Sequence, residues 1–158
     1  MTQSLIGASV FDQHLYDHVS QHVAGEVEAL KEYEALAGST ESKAFAYAAG
    51  LILADERRHH QLLTELAETI RSSAELTGGP SPIPDLDLHK DREAIIELSQ
   101  QLLEIEKRDR QELKALRKEL RDYKDTTLWE LVLAILDADN AKHRMILKFI
   151  RDHAKRGL

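Results

Sequence analysis

All three prolines of this 158-residue chain fall between Pro80 and Pro84. Proline removes a backbone donor and clashes with the preceding helical turn, so it ends helices. The surrounding segment, TGGPSPIPDLDLHK over 77–90, cannot be regular helix. Elsewhere glycine is sparse and Ala, Leu, Glu, Lys and Arg dominate, an all-α composition. Helices are predicted over about 9–37, 40–76, 91–123 and 127–156. Gly38 is the natural stop of the first, Ser39 or Thr40 can cap the second, and Asp91 the third. Thr127 and Glu130 form a capping box for the fourth.

Linker lengths set the expected topology. A few residues around 38–40 join the first two helices and a few around 124–126 join the last two, so each pair must be an antiparallel hairpin. The fourteen residues of 77–90 reach about 43 Å at ~3.1 Å each in extended form. A helix of about 30 residues is about 45 Å long. The linker can therefore run along most of a helix, a long crossover that leaves helices 2 and 3 parallel; the plain alternative is a loose loop in an up-down bundle. The length of the chain fits one domain, 1–158, a four-helix bundle with its own core.

The two halves repeat. Shifted by 84 residues, helix 2 falls on helix 4: Phe45 on Trp129, Ala48 on Val132, Ile52 on Leu136, Asp55 on Asp139, His59 on His143, Leu63 on Leu147 and Leu66 on Ile150. The spacing by threes and fours makes these one helical face. Bundle periodicity explains the apolar matches, but it does not predict a His and an Asp in register on both.

Those polar residues fall on faces that should be buried. At 100° per residue, Glu26 and Tyr33 share the helix 1 stripe with Val19, Val23, Leu30 and Ala37. Gly25 beside Glu26 is expected to permit close approach of a neighbouring helix. On helix 2, His59 lies at the centre of a stripe of Phe45, Ala48, Ile52, Leu62, Leu63, Leu66 and Ile70, flanked by Glu56 and Asp55. Glu106 and Asp109 both fall on the helix 3 stripe of Ile95, Leu98, Leu102, Leu113, Leu116 and Leu120, and the longer reach of Glu favours Glu106. On helix 4, His143 lies among Trp129, Val132, Leu136, Leu147 and Ile150, with Asp139 and Asn140 beside it. Unpaired buried carboxylates cost several kcal/mol each. Two divalent cations would neutralise the acids, with imidazoles completing the shell, and carboxylate-rich sites suit iron or manganese. The plain alternative is a set of ion pairs, with Lys or Arg reaching Asp55 and Asp139.

Composition removes other classes. Without Cys there can be no disulfide, thiolate–zinc site or iron–sulfur cluster. The net charge is -7, and Lys and Arg are interleaved with acids, which argues against nucleic acid. No apolar run reaches the ~18 residues of a membrane span. The start, MTQSLIGASVFDQ, lacks the basic and apolar regions of a secretory signal, so a cytoplasmic location is expected.

At these residues the chain resembles the ferritin-like superfamily, the rubrerythrin branch most closely. AGEVEALKEY is similar to the first rubrerythrin helix, with Glu26 at the ligand position and Tyr33 at the family tyrosine. ADERRHH, with Glu56 and His59, is similar to the Glu-x-x-His of the second helix, Glu106 or Asp109 falls at the third-helix Glu, and His143 at the fourth-helix His. Asn140 departs from the family, which has Glu there, so the two metal positions would be unequal unless Asp139 substitutes. The resemblance implies two metal ions, iron before manganese, with Glu26 and His59 on one, His143 on the other, Glu56 and Glu106 bridging and Tyr33 holding a carboxylate in place. It implies an oxidoreductase acting on peroxide or dioxygen, or oxidising ferrous iron. An external electron donor would be needed, because no rubredoxin centre can form, and a homodimer or larger homo-oligomer is expected.

Two other readings stand beside this one. His14, His18 and His22 step by four towards Glu26, as in a histidine-rich haemerythrin-like site, although His14 and His18 lie off the apolar stripe and are expected to be solvated. Helix 4 also has Lys148 where a haemerythrin-like His-x-x-x-x-Asp string would need an acid. A metal-free helical interaction protein with a decayed site is favoured by Asn140 and by the charged run KRDRQELKALRKELRDYKD.

Overall fold

The computed structural model describes residues 4–75, 81–123 and 125–157. Among them are four long helices and no strand: α1 (Val10–Ser39), α2 (Lys43–Ala74), α3 (Arg92–Glu119), which tightens into a 3-10 turn at Leu120–Tyr123, and α4 (Trp129–Arg156). Leu76 and residues 77–80, where the second helix is expected to end and the crossover to begin, lie outside the described residues, as does 124 in the second short link.

The helix ends show which local signals act. Ser9 Oγ accepts the Asp12 N–H at 3.1 Å, and the Asp12 carboxylate accepts the Ser9 N–H at 3.3 Å, a reciprocal box that fixes the start of α1. Gly38 does not stop α1, which runs on to Ser39. The cap of α2 is Ser42 rather than Ser39 or Thr40: its Oγ accepts the Phe45 N–H, while Thr40 Oγ1 accepts the Ser42 N–H. Asp91 does precede α3, but its backbone is left-handed (φ 60°) and its side chain makes no capping bond. The expected box at the start of α4 is absent. That helix begins after Leu128, one residue later than expected, and Glu130 instead pairs with Arg117 of α3 at 3.2 Å. At its far end Gly157 takes the left-handed conformation (φ 75°) that favours glycine, and Arg92 of α3 donates to the Lys155 carbonyl at 2.7 Å.

The chain divides into two compact units, Met1–Asp85 and Leu86–Leu158. Each holds one pair of packed helices, α1 with α2 and α3 with α4. Cross-helix pairs run in opposite directions along the two partners. In the first unit Glu26 lies by Glu56, while Tyr16 and Ser20, earlier on α1, share a groove with Ala67 and Arg71, later on α2. Glu130 meets Arg117 and Asp137 meets Arg110 in the second. Both pairs are thus antiparallel hairpins, as short links require. In the first unit the described linker begins on α2 itself, where Ser81 Oγ and the Ile83 N–H both donate to Thr69 Oγ1.

Within each hairpin the buried line is narrow. It comprises Val19, Ala49 and Ala67 in the first, with Leu5 from the preceding segment, and Ser99, Leu133, Asn140 and Ala154 in the second. Ala49 and Leu133 are equivalent under the 84-residue shift. Several expected core residues are exposed instead, among them Phe45, Ile52, Leu62 and Leu66 on α2, Leu98, Leu102 and Leu116 on α3, and Trp129 and Leu136 on α4. Two helices in contact cover only a strip of each other, and small side chains let that strip close. Larger residues one helical step away stand beside it. The Ala37 side chain lies outside the described ones. Gly25 also departs from expectation: a Cβ there would meet nothing within 4 Å, so no neighbouring helix needs its small size.

Candidate metal site

The same three-residue arrangement is built into each hairpin. In the first, α1 presents Glu26 and α2 presents Glu56 with His59 one turn later. One ligand atom from each comes within 4.8 Å of the other two. Glu56 Oε2 lies 3.7 Å from His59 Nδ1. Glu26 and Glu56 are half-buried, whereas the His59 side chain is 55% exposed, at the rim of the helix seam rather than in the core its sequence position predicts. Glu26 Oε2 is cut off from solvent and has no hydrogen-bond partner.

That orphaned oxygen is the chemically informative feature. Two ionised carboxylates repel each other by about 3 kcal/mol at this spacing for an effective dielectric constant near 20, less where water screens them. Ionised, neither can donate to the other, and a carboxylate oxygen buried without a donor is costly. A divalent cation would satisfy both acids at once, and a set of two carboxylate oxygens and one imidazole nitrogen fits iron or manganese. An open groove of about 360 Å³ leads to this point, lined by His18, Gln21, His22, Gly25, Glu26, Ala29 and Glu56.

The second hairpin solves the same problem with protein atoms. Asn140 stands where Glu56 stands in the first, is only 4% exposed, and its Nδ2 donates at 2.7 Å both to Glu106 Oε2 and to the Glu106 carbonyl. The other carboxylate oxygen of Glu106 lies 3.2 Å from His143 Nδ1, where the Nδ1–H tautomer donates to it. Glu106 is thus held at both oxygens, and His143, 51% exposed, sits at the rim as His59 does. Asn140 Oδ1 is buried without a partner, a weak neutral ligand atom.

The remaining sequence-derived residues are placed as follows. Glu106, not Asp109, meets Asn140 and His143. Asp109 lines a groove of the second hairpin with Glu106, Asn140 and His143, but it is nearly half exposed and lies 3.9 Å from Arg108. Asp139 is ion-paired with Lys142 one turn on, which supplies one of the Lys contacts that the ion-pair alternative anticipates. Asp55 is exposed. Tyr33 is half-buried, and no hydrogen bond ties it to a carboxylate among the described residues. Sequence reasoning missed one feature: it treated Asn140 as a deficient ligand, although its amide is the donor that a neighbouring acid requires. His14 and His18 are exposed, as expected, and His18 and His22 line the groove that Glu26 and Glu56 also line.

No helix among the described residues is long and apolar enough to cross a membrane. No family model matches the chain, and no curated protein or solved structure matches it either.

Proposed function

We propose that this chain is a metal-binding protein of the ferritin-like dimetal carboxylate type, with iron, or else manganese, held first by Glu26, Glu56 and His59. The carrying observation is that Glu26, whose Oε2 is buried and partnerless, comes together with a second carboxylate and an imidazole. In the dimetal form Glu106 and His143 serve the second ion, with Asn140 as a neutral ligand through Oδ1. Binding there must first break the Asn140–Glu106 and His143–Glu106 hydrogen bonds, so the second position is the weaker.

Bound iron or manganese would supply one-electron redox chemistry suited to reducing peroxide, activating dioxygen or oxidising ferrous iron. The protein's own share is to present the two acids without competing donors and to let small molecules reach them through the open groove. Tyr33, seven residues beyond Glu26 on α1, takes the role the family resemblance implies, steadying a carboxylate once a ligand is bound. Reducing equivalents must come from an external donor, because the chain has no Cys.

Asn140 supports a second reading, in which the second hairpin has become purely structural and one ion binds per chain. Anaerobic titration with Fe²⁺, followed by metal analysis and exposure to air, separates the two. Two irons per chain and a new near-ultraviolet band in air support the dimetal oxidoreductase. One iron supports the single-site form, and no retained iron or manganese overturns both.

A further inference from the structure

His18, His22 and Glu26 follow one another at intervals of four on α1, so they form a line along one side of the helix. The His18 and His22 rings meet edge to face with centroids 5.0 Å apart. Both are exposed and line the groove that the half-buried Glu26 and Glu56 also line. His14, the third member of the ladder, lines a different groove beside Leu5 and Gln13 and is not part of this line.

Neighbouring imidazoles four residues apart on a helix chelate divalent ions of the first transition row through neutral ring nitrogens. The groove thus joins two exposed imidazoles to two half-buried carboxylates, and one Glu26 oxygen there is buried without a partner. We propose that His18 and His22 form an outer cation-binding site that captures a divalent transition-metal ion from solvent and passes it to Glu26. The transfer is a ligand exchange: one imidazole at a time is replaced by a carboxylate oxygen, with no change of oxidation state. Glu26 is the shared residue, one turn from His22 and already within the triad. The transfer rests on the triad reading given above, whereas the outer site does not.

Two measurements on the full chain separate these parts. In a Glu56→Gln/His59→Ala variant, which lacks the triad, substoichiometric Co²⁺ should still broaden the imidazole NMR signals of His18 and His22 and leave those of His14 sharp. Unbroadened His18 and His22 signals would overturn the outer site. With the triad intact, a His18→Gln/His22→Gln variant should take up Co²⁺ about tenfold more slowly in stopped-flow absorbance and reach the same final stoichiometry. An unchanged uptake rate overturns the transfer. If the wild-type triad takes up no Co²⁺, that failure falls on the triad and overturns the transfer with it, and broadening in the first variant still decides the outer site.

Discussion

The two hairpins place a glutamate, a residue from the facing helix and a histidine one turn later in the same arrangement, and they differ in the middle member. Glu56 in the first leaves a buried Glu26 oxygen without a donor, while Asn140 in the second ties Glu106 at 2.7 Å. One substitution thus separates a cluster with an unsatisfied buried oxygen from one that is closed by the protein itself. The lesson is about sign and donor count rather than position. An amide supplies the protons that a second carboxylate lacks, and it removes a like charge as well.

Exchanging the middle residues tests this comparison most directly. Glu56→Gln should lower affinity for Fe²⁺ or Mn²⁺ at the first triad by about 10–100-fold, read by calorimetry. In chelator the same variant should be at least as stable as wild type in urea, because a repulsive pair has been removed. A destabilised metal-free variant would mean that the two acids do not oppose each other. The reciprocal change, Asn140→Glu, should destabilise the metal-free chain by about 2 kcal/mol, because Glu106 loses its donor. Added Mn²⁺ should recover that loss, and a chain indifferent to Mn²⁺ would show that the second hairpin cannot be converted.

Smaller effects sharpen the contrast. Gly25→Ala should stabilise the first hairpin by about 0.5–1 kcal/mol, since helical backbone entropy favours alanine and the space is free. The second hairpin, which has Ile105 at the position before Glu106, offers no such gain. Thermal melts with and without metal would measure it. The smallest effect concerns Asp152 on α4. A hydrogen bond from Arg151 holds its exposed carboxyl below the usual carboxylate range. A depressed folded pKa contributes stability above the unfolded value, and that contribution fades as pH falls through the folded one. Melting temperatures of wild type and Asp152→Asn should therefore differ slightly near pH 7 and converge in strong acid.

Much of the architecture was legible because it depends on local chemistry. The proline cluster and the short links near 40 and 126 require two helical hairpins, and α1–α2 and α3–α4 pair accordingly. Helix caps were read less well. Ser42 and Leu128, not Thr40 and Thr127, precede α2 and α4. Neighbouring hydroxyls compete for the same amides, and Glu130 found a partner on α3. Helical period placed Glu26, Glu56 and His59 on facing sides of one hairpin, yet it overstated the burial of both histidines, which stand at the seam's rim.

The order of residues alone determined that the described chain is helical, that its helices pair as hairpins, and that an acid and a histidine recur 84 residues apart. These follow from backbone propensity, link length and a periodicity of 3.6, all short-range properties. Only the tertiary structure decided that Glu106 rather than Asp109 meets His143, that Asn140 works as a donor, and that His18 and His22 share a groove with Glu26. Each of those depends on which side chain from another helix comes within about 3–5 Å, and hydrogen bonds and ligand sets are decided at that range.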